Sequence, residues 1–274
     1  MSATAHPTSE NRSTMNLNLT SKTAVVTGAS RGIGLATVRR LVTEGVRVVG
    51  AARTITPELK ETGALTVSAD LSTAEGVTTL MTGALAELGG IDLLVNNVGA
   101  GDDLRAAGFL DTDDAQWLRN MDLNLLSTVR ASRAALPSLI ERRGAMVNVS
   151  SVSARQPGGS PVAYSAAKAA LTATGKAMAE EFGPQGVRIN TVSPGVVRTS
   201  IWEAPDGYGH QVAAEAGSEH ASFLQGIPET FGLTTGRIIE ADEVAALIVF
   251  LLSDVAGSIT GVDHVIDGGA IKAL

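Results

Sequence analysis

The stretch T-G-A-S-R-G-I-G, from Thr27 to Gly34, joins a short apolar run to a helical pattern over Ile33–Glu44. Its first two glycines, Gly28 and Gly32, stand with the third in the spacing G-x-x-x-G-x-G. A glycine-rich turn between a strand and a helix lets the backbone approach a phosphate group, which then faces the helix N-terminus. The stretch, called the glycine turn below, therefore predicts a nucleotide-binding unit, with a purely structural turn as the alternative.

Seven apolar runs alternate along the chain with segments that are long enough for helices. The runs lack strict polar alternation, which is typical of parallel strands buried on both faces. We predict one α/β domain over residues 19–274 with a doubly wound, Rossmann-type parallel sheet, preceded by a disordered tail over 1–18. The predicted strands are Lys22–Thr27, Val46–Ala51, Ala64–Ala69, Ile91–Asn96, Ala145–Ser150, Val187–Val192 and His264–Asp267.

Composition excludes several classes of function. A net charge of −7 argues against a nucleic-acid partner, because binding to phosphate backbones needs clustered Lys and Arg. The chain has no cysteine and four scattered histidines, so we expect no disulfide and no metal site. The longest apolar run, Val244 to Leu252, is too short to cross a bilayer, and residues 1–18 have no signal-peptide pattern. We expect a cytoplasmic protein without a membrane partner.

A second pattern carries chemistry. Tyr164 and Lys168, in Y-S-A-A-K, are four residues apart and share one helix face, and Ser151 ends the apolar run A-M-V-N-V-S-S upstream of them. A tyrosine with a cation one helical turn away can move a proton. Together with the glycine turn, this pattern indicates a nucleotide-dependent enzyme that acts on a C–O bond. The alternatives are a tyrosine packed in the core and a strand-end serine bonded to the backbone.

The end of the second predicted strand bears on the choice of cofactor. NAD sites commonly place Asp or Glu about 20 residues beyond the glycines, but this chain has Ala52 followed by Arg53. Arg31 adds a second cation inside the glycine turn. Because guanidinium groups match phosphate oxygens, two arginines without a carboxylate predict the 2′-phosphate of NADP(H) rather than NAD(H). Two solvated surface arginines are the alternative.

These motifs, in their order and spacing, resemble those of the single-domain short-chain dehydrogenase/reductases over roughly residues 20 to 270. The resemblance also rests on N-N-V-G (Asn96 to Gly99), S-P-G-V-V-R-T (Ser193 to Thr199) and the closing V-I-D-G-G. The family more often has N-N-A-G, so Val98 adds bulk near the adenosine. The cofactor-binding residues that the resemblance implies are Gly28, Ser30, Arg31, Gly32, Ile33, Gly34, Arg53, Asp70, Leu71, Asn97, Gly99, Tyr164, Lys168, Pro194, Gly195, Val197 and Thr199.

The resemblance also implies a mechanism and an assembly. Tyr164 would exchange a proton with a ketone or secondary alcohol, Ser151 would hold the substrate oxygen, and Asn124 would hold a water that links Lys168 to solvent. A free phenol has a pKa near 10, and we expect Lys168 and the oxidised nicotinamide to lower that of Tyr164. The family further implies a homotetramer, or a dimer, built on helices over 115–142 and 161–182.

The segment from about 199 to 240, called the lid below, has no clear period. It contains Trp202, Tyr208 and two of the five phenylalanines, so we predict an irregular binding loop that selects the substrate. Two other functions stay open: a nucleotide-binding sensor or scaffold without turnover, and an epimerase or dehydratase of the same fold. The set of Asn124, Ser151, Tyr164 and Lys168 argues against the first, and the chain length against the second.

Overall fold

A computed structural model describes residues 15–99, 108–158 and 161–272. Its centre is a seven-stranded parallel sheet, with a separate pair of two-residue strands beside it. The strands of the main sheet are β1 (Thr23–Thr27), β2 (Arg47–Ala52), β3 (Leu65–Ser68), β4 (Leu93–Asn96), β5 (Ala145–Val149), β6 (Arg188–Pro194) and β9 (Asp263–Ile266), and the pair is β7 (Val197–Arg198) with β8 (Ile239–Glu240).

The spatial order of the main sheet is β3-β2-β1-β4-β5-β6-β9. All seven strands predicted from the sequence are present, with bounds that differ by one or two residues. The order reverses between β1 and β4, where Val25 pairs with Leu94. In a doubly wound sheet, the crevice for a ligand opens beyond the carboxyl ends of the strands at this reversal. The predicted fold class is confirmed.

Helices cover both faces of the sheet. Every residue of β1, β4 and β5 is buried, because these central strands have helices on either side. The helices are α1 (Gly32–Thr43), α2 (Pro57–Lys60), α3 (Ala74–Leu88), α4 (Asp114–Met121), α5 (Ser127–Arg142), α6 (Val162–Phe182), α7 (Ser200–Glu203), α8 (Tyr208–Glu215), α9 (His220–Thr230) and α10 (Ala241–Leu252).

The helices divide the hydrophobic core into two layers. On one face, α1 and α10 pack together through side chains such as Leu41 and Ile248, both fully buried. On the other face, α3, α5 and α6 cover the sheet through side chains such as Leu80 and Leu139. At the N-terminal end, Leu17 packs against the first layer. Residues 1–14 of the predicted tail lie outside the described part of the chain, so the tail stays a prediction.

Two predictions about helices need correction. The helix expected over 115–142 is interrupted by a π-helical turn, Asp122–Leu126, between α4 and α5. The lid is not irregular, because it contains the helices α7, α8 and α9. These helices pack around a small hydrophobic cluster of their own, which includes Val196, Ile227 and Leu233. They are short, and α9 contains a proline, so their hydrophobic period is too weak to read from sequence.

Candidate active site

A cavity of about 580 Å³ lies at the carboxyl ends of β1, β4, β5 and β6. Its volume is in the range of ligand and cofactor sites. Most of the predicted site residues line it, and Gly34 and Asn124 lie directly behind its wall. The predicted residues in the lining are Gly28, Ser30, Arg31, Gly32, Ile33, Arg53, Asp70, Leu71, Asn97, Gly99, Ser151, Tyr164, Lys168, Pro194, Gly195, Val197 and Thr199.

The glycine turn is built for close approach. Gly28 has a φ of +65°, a conformation that side chains disfavour. A Cβ on Gly34 would lie 2.2 Å from the carbonyl oxygen of Gly28, so only glycine lets α1 start this close to the turn. The N-cap residue of α1 is Arg31, whose side chain does not cap the first turn of the helix. Its first N–H groups therefore suit a pyrophosphate, and the residues fit the predicted dinucleotide.

Thr27 and Asn97 hold the glycine turn against the end of β4. The Thr27 hydroxyl accepts hydrogen bonds from the backbone N–H groups of Asn97 and Val98, at 2.9 and 3.0 Å. The Asn97 amide donates to the carbonyl oxygens of Thr27 and Gly28, at 3.0 and 3.1 Å. Asn97 thus lines the cavity as predicted, but these two amide hydrogen bonds hold the glycine turn in place. This role of Thr27 is not apparent from the sequence.

The end of the cavity beyond β2 and β3 is where the sequence predicts the adenosine and its phosphate. Arg31, Ala52 and Arg53 line it, and both arginines are exposed. Hydrogen bonds from Ser72 lower the pKa of the Asp70 carboxyl, and the nearby charge of Arg53 lowers it further. The two arginines therefore reach one mouth of the cavity, as the interpretation of a 2′-phosphate site requires.

Tyr164 and Ser151 meet at the other end of the cavity. Their side chains are hydrogen-bonded, and the Ser151 hydroxyl also accepts a bond from the Ser153 N–H at 3.1 Å. Ser151 follows β5 and caps the short 3₁₀ turn Val152–Ala154. The alternative of a strand-end serine bonded to the backbone is therefore partly correct. Ser151 does bond the backbone, but its hydroxyl faces Tyr164 as well.

Lys168 is buried below the tyrosine. Its Nζ donates to the carbonyl oxygen of Val149 at 2.9 Å and lies 5.8 Å from the centre of the Tyr164 ring. A Cβ on Gly99 would be 2.8 Å from both this Nζ and the Asn124 Oδ1, so the three residues adjoin one another. Asn124 lies in the π-helical turn, and its amide donates to the carbonyl oxygen of Asn120 at 3.2 Å. π-helical turns are frequent at functional sites.

One prediction about these groups needs correction. Burial raises the pKa of the Tyr164 phenol, and within the described part of the chain the hydrogen bond from Ser151 is the one contribution that lowers it. Lys168 is not a source of the lowering that the sequence analysis expected from it. Burial also lowers the pKa of the Lys168 ammonium from its usual 10.5 to about 8, so this group loses its proton more readily than an exposed lysine does.

The buried ammonium of Lys168 predicts a measurable dependence of stability on pH. Between pH 8 and 10.5 the unfolded chain binds a proton on Lys168 that the folded chain has lost, so stability rises with pH in this window. Relative to Lys168→Met, the free energy of unfolding should rise by up to about 3 kcal/mol. Urea unfolding of both proteins at several pH values measures this difference. Parallel curves for the two proteins would contradict it.

The lid forms the remaining wall of the cavity. The Trp202 ring contacts those of Tyr208 and Phe231 edge-on, with ring centres 5.6 and 5.5 Å apart. All three side chains line the cavity. All three residues lie within the predicted lid, but the sequence does not show their contacts with one another. Within the described residues, no group of His, Asp or Glu could hold a metal ion, and no helix is long and apolar enough to cross a membrane.

Comparisons with known proteins bear on this geometry. A family model described as enoyl-(acyl carrier protein) reductase matches residues 28–270. L-fucose dehydrogenase from Mus musculus is 35% identical over 256 residues, covering 91% of this chain and 88% of that protein. Meso-2,3-butanediol dehydrogenase from Serratia marcescens is 33% identical over 256 residues, with coverages of 91% and 94%.

A solved structure is similar along nearly the whole chain. L-sorbose reductase from Gluconobacter frateurii, complexed with NADPH and L-sorbose, superposes with a TM-score of 0.86 at 30% identity. The match covers 95% of this chain and 100% of that one. The relatives are named dehydrogenases and reductases, which favours hydride transfer over the sensor and epimerase alternatives. This chain therefore belongs to the short-chain dehydrogenase/reductase family, whose members transfer a hydride between a nicotinamide cofactor and a carbonyl or alcohol.

Proposed function

We propose that this enzyme interconverts a small, uncharged ketone and its secondary alcohol with NADP(H), using Tyr164 as the proton donor and acceptor. The observation that carries the proposal is the meeting of Ser151, Tyr164 and Lys168 in the same cavity as the glycine turn. When bound there, the cofactor supplies or accepts the hydride at its nicotinamide ring. Pro194, Gly195, Val197 and Thr199 would flank that ring, and Asp70, Leu71 and Gly99 the adenosine.

NADP(H) is proposed over NAD(H) because of the charge at the adenosine end. Arg31 and Arg53 line the cavity there, and Ala52 stands where a carboxylate would accept from a ribose hydroxyl. Guanidinium groups bind phosphate through charge-assisted hydrogen bonds. The NADPH complex of L-sorbose reductase supports the same choice.

The proton path uses this chain's own groups. In reduction, the Tyr164 hydroxyl gives its proton to the developing alkoxide, and the Ser151 hydroxyl donates a hydrogen bond to the same oxygen. Burial keeps Tyr164 protonated, which suits a proton donor. Lys168 and Asn124 adjoin behind it, where a water held by Asn124 would return the proton from solvent. In oxidation, each proton moves in the reverse direction.

Replacing Ser151 separates chemistry from cofactor binding. Ser151→Ala should lower kcat by about a hundredfold, because the substrate oxygen and Tyr164 both lose a hydrogen bond. Affinity for NADPH should stay nearly unchanged, because the proposed partner of Ser151 is the substrate. Fluorescence titration with NADPH beside steady-state rates measures both quantities. Normal turnover with a large loss of cofactor affinity would place Ser151 in the wrong subsite.

The substrate is proposed to be uncharged and hydroxylated. Among the residues that the structure describes, the charged ones in the cavity wall are Arg31, Arg53, Asp70 and Lys168, which all lie in the proposed cofactor and proton sites. L-fucose, meso-2,3-butanediol and L-sorbose, the compounds named for the relatives, are uncharged and carry two or more hydroxyl groups. Oxidation of NADPH with a panel of ketones, aldoses and ketoses tests the function. A panel without any turnover would overturn it.

We further propose a cytoplasmic homotetramer, or dimer, built on the helices over 115–142 and 161–182, with the lid over 199–240 closing on the substrate. The absence of cysteine fits a reducing compartment. Exposed apolar side chains near the start of the first helix support an interface, since Leu110 and Leu118 are 95% and 66% exposed. Light scattering of the purified protein measures the assembly, and a monomer would contradict it.

A further inference from the structure

Tyr208 is the second of the chain's two tyrosines, and it lines the same cavity as Tyr164. Its side chain is half-buried, and burial raises the pKa of its phenol. Within residues 15–99, 108–158 and 161–272, no protein group forms a hydrogen bond with its hydroxyl. The hydroxyl is also not one of the fully buried polar atoms that lack a partner, so it is open to the cavity or to solvent. This hydroxyl is therefore available to a molecule in the cavity.

The glycines on either side of Tyr208 determine where it lies. A Cβ on Gly207 would be 2.7 Å from the carbonyl oxygen of Ile201. A Cβ on Gly209 would be 2.4 Å from the carbonyl oxygen of Trp202. Only glycine at both positions lets the start of α8 pack directly on the backbone of α7. The close packing that the two glycines of G-Y-G permit thus places Tyr208 in the cavity wall.

Aromatic packing then orients the ring of Tyr208. The Trp202 ring meets it edge-on, at an interplanar angle of 75° and a centre-to-centre distance of 5.6 Å. The Phe231 ring also contacts the Trp202 ring edge-on, at an interplanar angle of 80° and a centre-to-centre distance of 5.5 Å. Edge-to-face contacts of this kind favour one ring orientation. The phenol is therefore held by packing and needs no hydrogen bond from the protein.

The two tyrosines also lie near each other. Both side chains line the same cavity, and Tyr208 is near enough for its charge to raise the pKa of Tyr164. The Tyr164 hydroxyl is where the reacting oxygen of the substrate binds. A second phenol in the wall of the same cavity can meet a substrate group beside the reacting carbon.

From this arrangement we propose that Tyr208 is a specificity-determining residue, whose hydroxyl binds a hydroxyl group on the carbon next to the reacting one. The proposal rests on the function proposed above and names its substrate class: vicinal diols and the α-hydroxy carbonyl compounds formed from them. A plain ketone leaves the Tyr208 hydroxyl without a partner in a closed site, and such sites discriminate strongly against substrates that lack the matching group.

Matched substrates that differ by one hydroxyl test the proposal. Wild type and Tyr208→Phe are compared on meso-2,3-butanediol against 2-butanol, and on acetoin against 2-butanone. Wild type should prefer the hydroxylated member of each pair. In Tyr208→Phe, the ratio of the two kcat/KM values should fall by about ten- to a hundredfold, because the variant lacks the hydroxyl that binds the neighbouring hydroxyl of the substrate. The ring and its packing on Trp202 remain, so the shape of the cavity should be kept. Titration with NADPH checks that the variant still binds the cofactor.

The outcomes separate this inference from the proposed function. A Tyr208→Phe variant that keeps the wild-type ratio overturns the role of Tyr208 and leaves the oxidoreductase function in place. A wild-type enzyme that turns over plain ketones but rejects both hydroxylated probes also overturns the role of Tyr208 and leaves the oxidoreductase function in place. A wild-type enzyme that turns over no carbonyl compound or alcohol overturns the proposed function and this inference with it.

Discussion

Tyr164→Phe should lower kcat by at least about 10²–10⁴-fold, because it removes the group that exchanges a proton with the substrate oxygen. The ring remains, so the buried packing beside Lys168 is kept and the protein should fold normally. Loss of the bond to Ser151 also loosens the hydroxyl that positions the substrate, which adds to the effect. Steady-state rates with a good substrate, in both directions, measure the loss.

Two controls make this test specific to the proton. Circular dichroism and a thermal melt should show an unchanged fold, and NADPH titration should show retained binding. Tyr208→Phe is the matched variant, since it removes the chain's other phenol from the same cavity. It should act on the choice of substrate, whereas Tyr164→Phe should depress every substrate alike. A Tyr164→Phe enzyme with more than about a tenth of the wild-type rate would show that another group is the acid.

Removing both arginines from the adenosine end should produce the second large effect. Charge-assisted hydrogen bonds to phosphate contribute roughly 1.5–3 kcal/mol each. Either Arg31→Ala or Arg53→Ala should therefore weaken NADP(H) by about ten- to a hundredfold, and the double variant by about 10²–10⁴-fold if the effects add. The kcat/KM for NAD(H) should change little, because that cofactor has no 2′-phosphate.

Ala52→Asp should shift the preference further towards NAD(H). A carboxylate at this position repels a 2′-phosphate and can accept a hydrogen bond from a free ribose hydroxyl. Arg39→Ala is the control, since Arg39 is an exposed arginine of α1 outside the cavity wall. It removes one positive charge without touching the site, so cofactor preference should persist. A wild-type enzyme that prefers NAD(H), or an Arg53→Ala variant with unchanged cofactor preference, would contradict the proposed binding of the 2′-phosphate by these arginines.

The sequence by itself determined the architecture and most of the cavity. Parallel strands buried on both faces produce continuous apolar runs, so all seven strands could be located from the pattern of apolar residues along the chain. The glycine turn was readable because its geometry excludes side chains: Gly34 has no room for a Cβ beside Gly28. Tyr164 and Lys168 were readable because one helical turn separates them. Each of these features depends on residues that are close together in the sequence, so a sequence pattern can predict it.

The tertiary structure alone decided the features that depend on distant neighbours. The family resemblance already linked Asn124 to Lys168, but the π-helical turn that brings Asn124 beside Gly99 and Lys168 has no sequence signature. The lid helices form because Trp202 and its neighbours share a small core, and that burial outweighs their weak periodicity. Tyr208 became a substrate-binding candidate only when α8 was seen packed on the backbone of α7. The pKa of Tyr164 rises because burial removes water from around the phenol. This burial depends on every element packed around the ring, so the four-residue spacing of Tyr164 and Lys168 does not predict it.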